Sequence, residues 1–310
     1  KTNISLILIL CLLLGACKNG NASSQSKSET PQDTIKAIKM PAIPQMMTAP
    51  EQRADFLAKH YWDNVNFADT NYIHHPEVTE QAWADYCDLL NHVPLETAQQ
   101  AMRNVIDRTN VDKKVFTYIT DLADKYLYDP NSPMRNEEFY IPVLEAMIAS
   151  PVLNETEKIR PQARLKLAQK NRIGTKALNF TYTLASGAQG SLYQLKAEYL
   201  LLFINNPGCQ ACTETIEGLK NAPIINQLLQ EKKLVLLSIY PDEELDEWKK
   251  HLSEFPNEWI NGYDKKFTIK EEQVYDLKAI PTLYLLDKDK TVLLKDATAP
   301  AIEAYLMQHQ

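Results

Sequence analysis

The chain has 310 residues, 45% of them hydrophobic and 24% charged, with a formal net charge of −7 at pH 7. Such an apolar share supports packed cores, and the length supports more than one domain. Basic residues fall in isolated pairs such as Lys232-Lys233, Lys249-Lys250 and Lys265-Lys266. Without a basic stripe to follow a phosphate backbone, nucleic acid is not an expected partner.

Lys1 is followed by an apolar run of eleven residues, Ile4–Leu14. A membrane-spanning helix needs about 20 apolar residues, so this run has the dimensions of a signal-peptide core. It ends in Leu14-Gly15-Ala16-Cys17, which resembles the lipobox of bacterial lipoproteins. That resemblance implies removal of residues 1–16, loss of Cys11 with them, and acylation of Cys17. An ordinary signal peptide cut after Ala16 and an uncleaved anchor are the alternatives. Residues 17–47 are rich in Ser, Asn, Gln, Lys and Thr, with Pro31, Pro41 and Pro44, and read as a flexible tether. Thirty such residues reach roughly 30 Å on average. The expected location is the cell envelope, anchored by lipid on Cys17 and facing the periplasm, where disulfides persist.

Residues 48–173 carry helical spacing and few strand signals. Thr48 and Glu51 fit a capping box, with Pro50 in the first turn, opening a helix towards Phe67. Further helices are predicted over Val78–Leu90, Pro94–Arg108 and Val111–Leu127. In the last of these, Val115, Ile119, Leu122 and Tyr126 recur on one face. The turn formers of Tyr128–Pro133 break the pattern, which resumes over Asn136–Ala149 and Glu155–Asn171, with a bend at Pro161. Cys87 shares an apolar stripe with Trp83 and Leu90 and reads as a buried structural thiol. His74 and His75 are adjacent and precede Pro76, a poor arrangement for a metal.

After Gly174 the texture changes. Ala177–Leu184 alternates like a half-buried strand, and Gly187 and Gly190 mark a turn. Tyr199–Ile204 and Leu234–Ile239 are continuous apolar runs, consistent with strands buried on both faces. Helices are expected over Cys209–Asn221, after Pro223, over Asp242–Leu252 with Trp248 inward, and from a Thr268/Glu271 capping box towards Leu277. Thr282–Leu286 and Val292–Lys295 form a strand pair about Asp287–Lys290, and a helix follows from Ala299. The order of strands and helices makes a mixed α/β domain over 174–310, preceded by a small all-α domain.

The Cys209-Gln-Ala-Cys212 motif follows the first buried strand and opens a helix. A helix N-terminus favours a thiolate, the species disulfide exchange requires. Only one close cysteine pair is present, so a zinc site is not expected. No other metal or cofactor is expected either, since His251 and His309 stand apart from the motif.

These residues, in order, carry a likeness. Phe180–Leu184 with Gly187 and Leu192, the strand into Cys209–Cys212, Leu234–Ile239 with Pro241-Asp242, and Ala279-Ile280-Pro281-Thr282 through Asp287 resemble the thioredoxin-like fold, in particular its TlpA-like thiol-disulfide interchange branch. The helical part, above all Tyr126–Phe139, resembles an uncharacterised domain that precedes thioredoxin-like domains in lipoproteins of Gram-negative gut bacteria. The first resemblance implies that Cys209 attacks a disulfide and Cys212 resolves it. It also implies a cis Pro281 facing the pair, with the Ile280 backbone free to bind substrate. Exported proteins with disulfides would be substrates, and a membrane electron donor would restore the dithiol. The sequence departs from the family in Pro207-Gly208, where an aromatic is usual, and in lacking an acid within Tyr199–Ile204. Glu198 is the nearest acid. The neutral Gln210-Ala211 pair suggests a reducing or intermediate potential. The expected activity is therefore thiol-disulfide oxidoreduction, as reductase or isomerase. The alternative is a non-catalytic binding or scaffold lipoprotein with a structural disulfide.

Overall fold

The computed structural model describes residues 37–309. The signal-peptide and lipidation expectations at Cys11 and Cys17 lie outside those residues. Residues 37–47, expected as the end of a tether, instead lie along the helical part. Ile38 packs on its core, and Asn64 donates to the Lys39 carbonyl at 2.9 Å.

Six α-helices build the first part: α1 (Pro50–His60), α2 (Pro76–Leu90), α3 (Leu95–Arg108), α4 (Lys113–Ala123), α5 (Glu137–Ala149) and α6 (Glu155–Ala168). The expected capping box at Thr48 does not form. Ala49 is the N-cap, without a side-chain bond, and Pro50 removes one of the donors that a cap would have satisfied. Asp112 and Asn136 cap α4 and α5, and Asn154 with Glu157 forms a reciprocal box on α6. Trp62, Trp83, Tyr61 and Tyr86 interlock at ring separations of 5.2–6.1 Å, the aromatic centre of this core. Cys87 lies in the same core, where burial pushes its thiol pKa far up. Pro142 interrupts α5 and cannot donate to the Glu138 carbonyl; Gln99 Nε2 on α3 donates instead, at 3.1 Å. The helix expected over Val111–Leu127 ends at Ala123, and Asp124–Tyr128 continues it as a wider π turn.

The second part is one seven-stranded sheet. Its strands are β1 (Thr181–Leu184), β2 (Gln189–Ser191), β3 (Tyr199–Ile204), β4 (Leu234–Tyr240), β5 (Ile260–Tyr263), β6 (Thr282–Asp287) and β7 (Val292–Lys295), in the order β2-β1-β5-β4-β3-β6-β7. β3 and β4 run parallel, as do β4 and β5; β6 is antiparallel to β3. Side chains of β3 alternate between the faces. Leu200, Leu202 and Ile204 join Tyr284, Leu286 and Tyr275 on one side. Leu201 and Phe203 face α7 (Gln210–Lys220), α8 (Pro223–Gln230) and α11 (Ala299–Gln308) on the other. β5 was not foreseen; its Asn-Gly centre gives no apolar alternation. α9 (Leu245–His251) is shorter than expected, and Trp248 is buried on it. The short α10 (Thr268–Glu271) is not capped by Thr268. Phe267 takes the cap position in a left-handed conformation, and the buried Asp264 carboxylate accepts from Ile269 N at 2.6 Å.

The junction is hydrogen-bonded rather than loose. Asn171 donates to the Val274 carbonyl at 2.8 Å and accepts from Leu178 N at 2.7 Å. Residues 174–177 then run beside the start of β7: Gly174 N donates to Val292 O, Val292 N to Thr175 O, and Ala177 N to Lys290 O, at 2.8–2.9 Å.

Candidate functional site

The site forms where β3 and β4 end. Asn205 continues β3 by donating its N–H to Ile239 O at 3.0 Å, and its side-chain amide donates to Ser238 Oγ at 2.8 Å. Asn206 turns out of the sheet and donates to Asp242 Oδ2 at 2.9 Å. Burial would raise the Asp242 carboxyl, but Lys270, at 2.8 Å, and Asn206 outweigh it and hold the group below the usual carboxylate range. Gly208 follows with φ +70°, a conformation open to glycine at little steric cost. This turn delivers Cys209 to the N-cap of α7.

Cys209 Sγ accepts the Cys212 N–H at 3.3 Å, the bond an N-cap side chain makes to the third helical residue. Cys209 is half-buried, whereas Cys212, one turn inside, is 2% exposed. Burial, then the hydrogen bond with Cys209, pushes the Cys212 thiol up to about 12, although the Asn206 backbone N–H works the other way. Both thiols are free.

The β3–β6 register completes the arrangement. Ile204 pairs with Thr282, so the residues before β6 lie opposite the turn leading to Cys209. The Ile280–Pro281 bond is cis, and Cys209 Sγ lies 3.7 Å from the Ile280 carbonyl oxygen. The structure thus brings Cys209, Cys212, Ile280 and Pro281 together. Glu198 falls elsewhere: it precedes β3, whereas Cys209 follows it, and six strand residues separate the two ends by about 20 Å. No carboxylate hydrogen-bonds to Cys212 among the described residues. No group of His, Cys, Asp and Glu suited to a metal occurs among them either. His251 is held by Glu254 and Glu247 on the surface.

Sequence inspection missed the polar support of this site. Asp242 was visible beside Pro241, but its partners Asn206 and Lys270 lie 36 and 28 residues away. A second, buried group was missed entirely. Lys278 Nζ lies 3.1 Å from Glu137 Oε1, 3.3 Å from Asp276 Oδ2 and 3.1 Å from Asp296 Oδ2. Lys295 pairs with the other oxygen of Glu137, and Thr282 Oγ1 donates to Asp296 Oδ1 at 3.1 Å. Burial alone would raise the Asp296 carboxyl, but Lys278, Arg135 and Lys295 together hold it below its ordinary value.

Strand order, the half-buried N-cap cysteine and the cis-proline segment opposite it define a thioredoxin-like domain. The family described as thioredoxin-like matches residues 197–292, and the Domain of unknown function (DUF5106) matches residues 16–171. The chain belongs to the DUF5106 family, in a form joined to a thioredoxin-like domain. A crystal structure of a thioredoxin-like protein from Bacteroides caccae is 84% identical, with TM-score 0.87, and the match covers 89% of this chain and 100% of that one. The C-terminal domain of an uncharacterised protein from Bacteroides fragilis is 69% identical over 44% of this chain and 98% of that one, with TM-score 0.44. The thioredoxin domain of a thiol-disulfide oxidoreductase from Bacteroides vulgatus is 20% identical over 44% of this chain and 97% of that one, with TM-score 0.40. No curated protein matches the chain.

Proposed function

We propose that this chain is a thiol-disulfide oxidoreductase of the cell envelope, held to a membrane by lipid on Cys17 and acting on exported proteins. One observation carries the proposal: a half-buried Cys209 caps α7 and faces the Ile280 carbonyl, with a screened Cys212 one turn behind. The Cys209 thiolate attacks one sulfur of a substrate disulfide; a Cys209–substrate S–S bond forms, and the other substrate sulfur leaves as a thiolate and takes up a proton. Cys212 then loses its proton to solvent and attacks Cys209 Sγ. The mixed disulfide breaks, the reduced substrate leaves, and a Cys209–Cys212 disulfide remains. The raised Cys212 pKa keeps that thiol protonated until the mixed disulfide has formed. A membrane dithiol donor would return the two electrons. Where another thiolate of the substrate attacks the substrate sulfur of the mixed disulfide before Cys212 does, Cys209 leaves as thiolate and a new substrate disulfide forms. The outcome is then isomerisation, with no net electron transfer.

The test is a Cys212→Ser variant expressed in its own envelope, together with insulin reduction in vitro by the wild type and by Cys209→Ser. Covalent adducts on Cys209 are expected, as is a loss of at least ~1000-fold in Cys209→Ser. No adduct and no reductase activity in the wild type would leave a binding or scaffold lipoprotein instead.

A further inference from the structure

The buried ionic group beside the site draws on both domains. Glu137 comes from the first turn of α5 in the helical domain; Asp276 and Lys278 precede the cis proline; Lys295 and Asp296 end β7. The Glu137, Asp276, Lys278, Lys295 and Asp296 side chains are only 6–11% exposed. Arg135, two residues before Glu137, donates to the Asp296 backbone carbonyl at 2.5 Å. The group therefore balances three carboxylates against three cations, as buried charges must if they are to stay ionised. Lys278 also lies 5.3 Å over the Tyr128 ring, whose other cation, Arg164, is at 4.1 Å.

This group grips the segment that meets Cys209. Lys278 stands two residues before Ile280. On the far side, Thr282 is tied to Asp296, which itself faces Lys278. Ile280 and Pro281 lie between two anchors of one network, and the Ile280 carbonyl is the atom opposite Cys209 Sγ. Among the described residues, Glu137 is the one carboxylate of the helical domain that pairs with Lys278.

We propose that Glu137 is a positioning residue for disulfide exchange: through Lys278 it fixes the Ile280–Pro281 backbone against Cys209, so that the helical domain shapes the surface on which a polypeptide substrate docks. The proposal rests on Cys209 as the attacking thiol. Its consequence is selective. A polypeptide must pair with the Ile280 backbone, whereas a small disulfide need only reach Cys209. Glu138 supplies the control. One residue away and bonded to Arg172, it also links α5 to the junction but, among the described residues, makes no ion pair with Lys278.

The experiment compares Glu137→Gln and Glu138→Gln in the full chain, with insulin and hydroxyethyl disulfide as substrates and amide exchange over residues 277–283. Misplacement of a docking backbone by about 1 Å can cost up to ~100-fold. Glu137→Gln is expected to slow insulin reduction about 10-fold, to leave hydroxyethyl disulfide within about twofold, and to speed exchange over 277–283. Glu138→Gln is expected to do none of these. Should Glu137→Gln fold poorly, the double variant Glu137→Gln/Lys278→Met removes the charges together and is expected to show the same selective loss. Equal loss on both substrates, no loss, or unchanged exchange would each overturn the proposal. A wild type inactive on both substrates would remove the functional reading, and this proposal with it.

Discussion

The two halves of the molecule treat their backbone in opposite ways. Every described non-glycine residue with positive φ lies between Asn171 and Asp296, and the positive-φ glycines begin at Gly174. Ahead of Asn171, which stands at the end of the helical half, the described residues have neither; helices there surround an aromatic core. Unfavourable conformations persist only where the surroundings over-determine them, and they gather at working sites. The same contrast holds for cysteine. Cys87 is filler among Trp83 and Tyr86, whereas the half-buried Cys209 caps a helix. Both halves rest on apolar packing, but the positive-φ residues from Gly174 onward and the proposed site belong to the second.

The strongest way to break this contrast is Trp83→Ala. Loss of so large a buried ring is expected to cost about 4 kcal/mol, read as a drop in urea midpoint, whereas reductase activity per folded molecule stays unchanged. A selective loss of activity in the folded fraction would place function in the helical core. Next is Asp296→Asn. Asn tolerates the left-handed φ of +51° at this position, so the change reports the charge. Removing one of the three carboxylates around Lys278 leaves the buried group with an uncompensated positive charge, at an expected cost of about 3 kcal/mol at pH 7. The Asp296 pKa in the folded protein lies below the unfolded value. Its carboxylate therefore contributes stability above about pH 4 and loses that contribution as pH falls through the lowered value. The gap between variant and wild type should close in acid. The smallest effect is expected for Gly208→Ala. A Cβ there would meet nothing within 4 Å, so the cost of about 1 kcal/mol is conformational alone. At Gly262 a Cβ would sit 2.9 Å from Tyr182 Cδ2 and 3.3 Å from the Thr183 carbonyl. Overpacking makes Gly262→Ala the worse of the two, and a reversed ranking in urea melts would count against this account.

The parts legible in the sequence were those set by local pattern. Tyr199–Ile204 is a strand at both ends as expected, because six apolar residues must be buried on both faces. Cys209–Cys212 was placed at a helix start by the residues on either side. What escaped depends on residues distant in the chain. β5 reads Ile-Asn-Gly-Tyr and takes its place because Gly262 lets the Tyr182 ring approach its backbone. The Thr268/Glu271 box gave way to Asp264, whose two carboxyl oxygens accept from Lys266 N and Ile269 N. Glu137 and Lys278 stand 141 residues apart, and no spacing rule joins them.

The strip of backbone at 174–177, besides joining the two halves, lies along the outermost strand of the sheet. By occupying N–H and C=O groups near the start of β7, it leaves that margin less open to a strand from another molecule. At the opposite margin, β2 is only three residues long, a poor template for the same reason. The junction thus doubles as a guard against self-association, and cutting the chain after Ala177 would remove the guard along with the helices.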